Sequence, residues 1–205
     1  MELQSPDIIS NDVATITQSG VYFTIESTRD IIVTGMELYP GSGSNGFEHG
    51  ITVYARHGEV GYDALMANEN NIIYSTTNSL SGSDETGGVK ISLDLPMLED
   101  TLTSIYILDG GGNNSGVDNR SSGGTGTSGG GIQCLTRLGE GNVGDGTLLI
   151  FGGTGVEENS VVPAQFMGTL RCVTSLVEMD LLHYGFFVNS SSLLIINTIA
   201  RSFAH

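Results

Sequence analysis

From Val89 to Leu95 the chain reads VKISLDL, and its side chains alternate strictly. Val89, Ile91, Leu93 and Leu95 share one face, while Lys90, Ser92 and Asp94 share the other. A period of two belongs to an extended backbone, whose successive side chains point to opposite sides. A fold that holds this segment must give it a core on one side and water on the other. The segment is therefore read as a half-buried strand, stopped by Pro96.

The same grammar organises Gly20 to Arg56. GVYFTIE places Val21, Phe23 and Ile25 on one face, and GITVYAR does the same with Ile51, Val53 and Ala55. Between them, DIIVTGMELY is apolar on both faces, as an inner strand would be, and Pro40 ends it. DVATIT, Asp12 to Thr17, reads as an edge strand. Residues 57–70 accommodate either a helical turn around Asp63 to Ala67 or an irregular loop. Ile72 to Tyr74, Ser104 to Asp109, Ile132 to Leu138, Thr147 to Phe151 and Gln165 to Cys172 continue the strand pattern.

About ten short strands separated by Gly, Asn and Ser turns, without a convincing amphipathic helix, point to an all-β fold. The expected form is an antiparallel β-sandwich of jelly-roll type spanning residues 12–174. Residues 110–131, GGGNNSGVDNRSSGGTGTSGGG, offer only Val117 for burial and are expected to be a flexible loop. Residues 175–205 carry short apolar clusters with neither period; this C-terminal tail is open to three readings, a short helix, an extra strand or a segment outside the domain's core.

Charge narrows the partners. Seven Lys and Arg against 23 Asp and Glu give a formal charge of −16, with Lys90 the single lysine. Such a surface repels phosphate backbones, which excludes nucleic acid, and is repelled by anionic membrane surfaces. It favours solubility, cations and basic partners. No apolar run approaches the ~18 to 20 residues that cross a bilayer, so membrane insertion is not expected. MELQSPDIIS shows no basic region followed by an apolar core, so no signal peptide is visible.

Motif matches are weak. Gly41 to Gly46 and Gly124 to Gly129 fit G-x-G-x-x-G, but the first leads into a strand and the second lies in low complexity. A dinucleotide fingerprint needs a helix whose amides meet the pyrophosphate. Ser128 fits G-x-S-x-G, yet a glycine run cannot pre-position an attacking oxygen. His49 and His57, at opposite ends of one strand, would lie ~26 Å apart at ~3.3 Å per residue and cannot share a metal. Neither they nor His183 and His205 form a zinc spacing. GDGTLLIFGG, Gly144 to Gly153, is one copy of a calcium nonapeptide pattern that works only in tandem. No residue is assigned a catalytic role, and no cofactor is required.

Three binding features follow. Loop carboxylates Asp84, Glu85, Glu157 and Glu158 are calcium candidates, against ordinary solvated charge. Tyr22 and Tyr54 fall on the outward phase of their strands and are candidates for stacking on sugars, against simple cover for a sheet face. Asn113, Asn119 and Asn189 begin N-glycosylation sequons. Cys134 and Cys172 lie in the first and last of three closing strands, where neighbouring positions would allow a disulfide and burial would leave two thiols.

GVYFTI, IIVTGMEL, ITVYARHGEVGYD and LLIFGGTGVEENSVVPAQFMGTLRC together carry a likeness. Over residues 20–172 the chain resembles the β-sandwich module repeated in large uncharacterised extracellular proteins of marine microalgae. The matches are Gly20, Phe23 and Ile25; Val53, Tyr54 and Gly58; Leu148, Ile150, Gly153 and Gly155; and Pro163, Phe166, Gly168 and Leu170. Ala164, Met167 and Cys172 replace the module's arginine, asparagine and tyrosine. The likeness implies a sandwich at the cell surface or outside the cell, a setting that favours a Cys134–Cys172 bridge. It carries no catalytic residues. The functional expectation is a non-catalytic module for adhesion or matrix binding, with carbohydrate or protein as ligand. A jelly-roll shell or fibre subunit is the alternative, followed by a polysaccharide hydrolase or lyase.

Overall fold

The alternating segments fold as their period demands, and the face each one buries decides which sheet it joins. The computed structural model describes residues 2–4, 15–41, 44–82, 88–110, 131–136, 141–143, 147–157 and 160–174. The contact pattern makes Met1–Thr174 one compact unit. The expected tail, residues 175–205, and the expected flexible loop, residues 111–130, lie outside the described residues, as do the three sequons and Ser128.

One sheet has four strands: β1 (Glu2–Gln4) at one edge, then β16 (Gly168–Thr174), β4 (Ile31–Leu38) and β9 (Val89–Met97). The second has seven. Its path runs β12 (Gly141–Val143), β13 (Leu148–Glu157), β3 (Gly20–Ser27), β10 (Leu102–Asp109), β6 (Ile51–His57) and β7 (Ile72–Thr76). The seventh, β14 (Ser160–Pro163), pairs with β13 as a hairpin. A small third sheet orders β15 (Gln165–Phe166), β11 (Ile132–Leu135) and β2 (Thr15–Gln18). The two-residue strands β5 (Gly46–Phe47) and β8 (Leu80–Ser81) pair with each other. All the ladders between these strands are antiparallel.

The core lies between the two large sheets, which makes the architecture a β-sandwich. The four-stranded sheet contributes Ile31, Val33, Met36, Leu38, Val89, Ile91, Leu93, Leu95, Met97, Leu170 and Cys172. The larger one answers with Val21, Phe23, Ile25, Ile51, Val53, Ala55, Ile105, Ile107, Leu148 and Ile150. The ring of Phe166 stacks on Phe23 with centroids 4.7 Å apart and so ties the small sheet to the large one. Removing these apolar side chains from water is the main force holding the sheets together.

Four expectations need correction. Pro96 does not end its strand, because β9 continues to Met97. β9 is an edge strand, the place in a sheet where a proline is tolerated. The domain does not start at residue 12, because β1 pairs with β16 at Glu2↔Arg171, Leu3↔Leu170 and Gln4↔Thr169. The final apolar run is two strands, β15 and β16, which join different sheets either side of Met167. Cys134 and Cys172 are consequently not in neighbouring strands. Cys134 pairs with Ile16 and Phe166, Cys172 pairs with Val33, and both are buried without a disulfide between them.

Candidate binding surfaces

The tyrosines are placed on the outward face of the larger sheet, as their phase requires. Antiparallel register then lines them up: Tyr22 lies opposite Tyr106, and Tyr106 opposite Tyr54. They do not form an open platform. A five-residue helix, α1 (Tyr62–Met66), lies over them; it realises the helical alternative for residues 57–70. Tyr62 comes within 6.5 Å of Tyr22 and 5.7 Å of Tyr106, centroid to centroid, and Tyr54 lies 6.1 Å from Tyr106. Leu65 and Val156 complete this second cluster. Tyr54 is only 8% exposed, and burial with the nearby Glu69 carboxylate pushes its phenol pKa up. Tyr22 is half-buried, with its hydroxyl 3.2 Å from Thr24 Oγ1 and 3.4 Å from Ser104 Oγ. Tyr54 is thus nearly buried against its neighbours, while Tyr22 keeps a partly exposed side chain beside Tyr62.

A polar junction forms where strands end. The Asp109 carboxylate accepts a hydrogen bond from the Gly131 amide, closing the point at which β10 ends and β11 begins. Gly131 takes φ 98°, a conformation a side chain would oppose. The Gly110 amide donates to Gly50 O at 3.0 Å, and Asp109 N donates to Ser19 O at 2.9 Å. Burial raises the Asp109 pKa, and the amides of Gly131 and Gly110 and the nearby His49 oppose that rise. Glu48 adds a smaller upward push. Nothing in the sequence marked Asp109 beyond its place at a strand end, since its partner lies in a distant segment.

His57, at the end of β6, has Nδ1 3.0 Å from Thr103 Oγ1, while His49 lies exposed before the same strand. The two do not meet at one centre. Asp84, Glu85 and Glu158 lie outside the described residues, and of Glu157 only the backbone, paired with Ser160, is described. Among the described residues no group of three His, Cys, Asp or Glu side chains could hold a metal ion. No described helix is long and apolar enough to cross a membrane.

Exposed apolar side chains lie elsewhere: Val161 on β14, and a group at the outer face of the four-stranded sheet. Directly opposed residues in a ladder point to the same side. Val173 opposes Ile32, and Ile32 opposes Pro96, so three apolar side chains cross the sheet in one row. Leu98 follows two residues beyond Pro96, just past the end of β9. Leu98 is 61% exposed and Val173 41%, with Pro96 exposed and Ile32 half-buried. Away from the row the face turns polar: the Arg171 side chain, two residues from Val173 on β16, passes over Gly35, and at the far end Lys90 Nζ lies 3.7 Å from Glu37 Oε2. Continuing the outward phase of β9 through Pro96 would have pointed to Leu98. Val173 and Ile32 join it only through the register.

The molecule is thus an all-β sandwich with one apolar end on an outer sheet face. No family model, curated protein or solved structure matches the chain.

Proposed function

We propose that this chain is a non-catalytic binding module on a jelly-roll-type sandwich, serving adhesion or matrix binding outside the cell or at its surface, with a protein as ligand. The observation that supports it is the row Val173, Ile32 and Pro96 on the outer face of β16, β4 and β9, with Leu98 exposed just beyond the end of β9. A single exposed leucine is ordinary, but apolar side chains grouped on one sheet face are the kind of surface that binds a partner. Protein takes precedence over carbohydrate because, of the two rings suited to sugars, Tyr54 is nearly buried and Tyr22 packs in part against Tyr62 of α1.

The test is a binding screen of the full chain against immobilised matrix proteins and polysaccharides, with calcium and with chelator. Capture by a protein that persists in chelator and is lost in the Leu98→Asp/Val173→Asp variant is the expected result. Polysaccharide cleavage, or polysaccharide binding that survives that variant, would overturn the reading.

A further inference from the structure

The apolar row has a charged frame that narrows its partner. Four exposed carboxylates surround it. Asp94 precedes Pro96 on the outward phase of β9. Glu99 and Asp100 follow Leu98, and Asp30 is drawn to the same corner, its Oδ1 accepting the Glu99 amide at 2.8 Å. Of the cations near it, the Arg29 guanidinium donates to Thr147 Oγ1 at 2.6 Å, Arg171 lies two residues from Val173 on β16 with its side chain over Gly35, and Lys90 pairs with Glu37 at the far end of the face.

Resting on the binding-module reading, we infer that this corner docks a protein segment in which apolar side chains alternate with lysine or arginine. The apolar positions would cover Val173, Ile32, Pro96 and Leu98, and the basic ones would meet Asp30, Asp94, Glu99 and Asp100. A second copy of the chain is the poorer occupant. It would bring its own carboxylates against these four, within a molecule of charge −16. An anionic membrane is repelled for the same reason.

The test uses the full chain, a synthetic peptide of alternating leucine and lysine, and its leucine–glutamate counterpart. Binding is followed by fluorescence anisotropy and by amide shifts in NMR. The inference expects the lysine peptide to bind and the glutamate peptide not to. Perturbed amides should cluster at residues 30–34, 94–100 and 171–174. Leu98→Asp/Val173→Asp should weaken binding by about tenfold or more. Glu59→Gln/Asp63→Asn/Glu69→Gln, which removes exposed charge beside α1, should change it by less than about twofold. Raising salt from about 0.05 to about 0.5 M should weaken it severalfold through screening.

Equal losses in the two multiple variants would show a diffuse charge effect and overturn the inference. Shifts outside the three segments would do the same. A concentration-dependent dimer abolished by Leu98→Asp/Val173→Asp would overturn it in favour of a second copy. If these peptides fail but the matrix screen still shows Leu98-dependent capture of a protein, the partner class falls while the binding-module reading stands.

Discussion

Truncating Phe166 to alanine tests the sandwich at the point where its third sheet is fastened. The ring is fully buried, stacks on Phe23 at 4.7 Å and 23° between planes, and lies over Gly168. Phe166 also pairs with Cys134 in the ladder, so its neighbours on β11 are held by backbone pairing and cannot easily close a void. Large-to-small changes at such sites cost about 3–5 kcal/mol through lost burial and residual cavity. About 0.5–1.5 kcal/mol of aromatic stacking is included when the pair is broken. At about 2–4 °C per kcal/mol for a domain of this size, the melting temperature should drop by about 6–20 °C. Urea unfolding followed by circular dichroism reads the change directly, with an unaltered m-value showing that the two end states are unchanged. Phe166→Leu, which keeps more of the volume, should lose less than half as much. A loss under about 1 kcal/mol for alanine would refute the burial argument and the docking of β15 with it.

Three further outcomes are expected. Gly20→Ala should destabilise by about 1–3 kcal/mol, because a Cβ there would press into the Tyr106 ring; Tyr106→Phe, which removes the nearest atom, should make the double variant less than additive in chemical denaturation. Asp109 has a raised native pKa, so it binds a proton more readily folded than unfolded, and its burden on stability is present above that pKa and relieved as pH falls through it towards the ordinary carboxylate range. Wild type should therefore gain stability relative to Asp109→Asn between pH 7 and about pH 4 in parallel urea series, and a relative loss would contradict the assignment. Protein made under oxidising conditions and unfolded without reductant should titrate both thiols, Cys134 and Cys172; recovery of neither would restore the bridge.

Local pattern carried much of this fold. Val89 to Leu95 alternates in the structure as it does in the sequence, and Val21, Phe23, Ile25, Ile51, Val53 and Ala55 face the core as their phase requires. The doubly apolar run became β4, an inner strand flanked by β16 and β9. What the pattern could not supply was pairing. Period two says which side a residue faces, not which strand lies beside it, so the separation of Cys134 from Cys172 into different sheets was invisible. It also says nothing of what covers an outward face. Tyr22 and Tyr54 were placed on the correct side, but a short helix formed only 5 residues long had no periodic signature to announce that it would lie over them. The apolar corner was hidden for a third reason. Leu98 looked like a residue beyond a proline stop, and Val173, Ile32 and Pro96 meet only because the ladders of β4 bring three distant segments into one row.

The tyrosine row has an optical consequence. The chain contains seven tyrosines and no tryptophan, so its near-ultraviolet emission comes from phenol rings alone. Four of those rings, Tyr22, Tyr54, Tyr62 and Tyr106, are chained by centroid distances of 5.7–6.5 Å, close enough to pass excitation among themselves. Light absorbed by one ring is shared before it is emitted, which lowers the polarisation of the emission. Only Tyr62 belongs to α1, and it sits between Tyr22 and Tyr106. Lifting that short helix withdraws Tyr62 from the array and leaves Tyr22, Tyr106 and Tyr54 side by side in the strand register. Emission anisotropy of the unlabelled protein is therefore a gauge of whether α1 is seated, readable without any introduced probe.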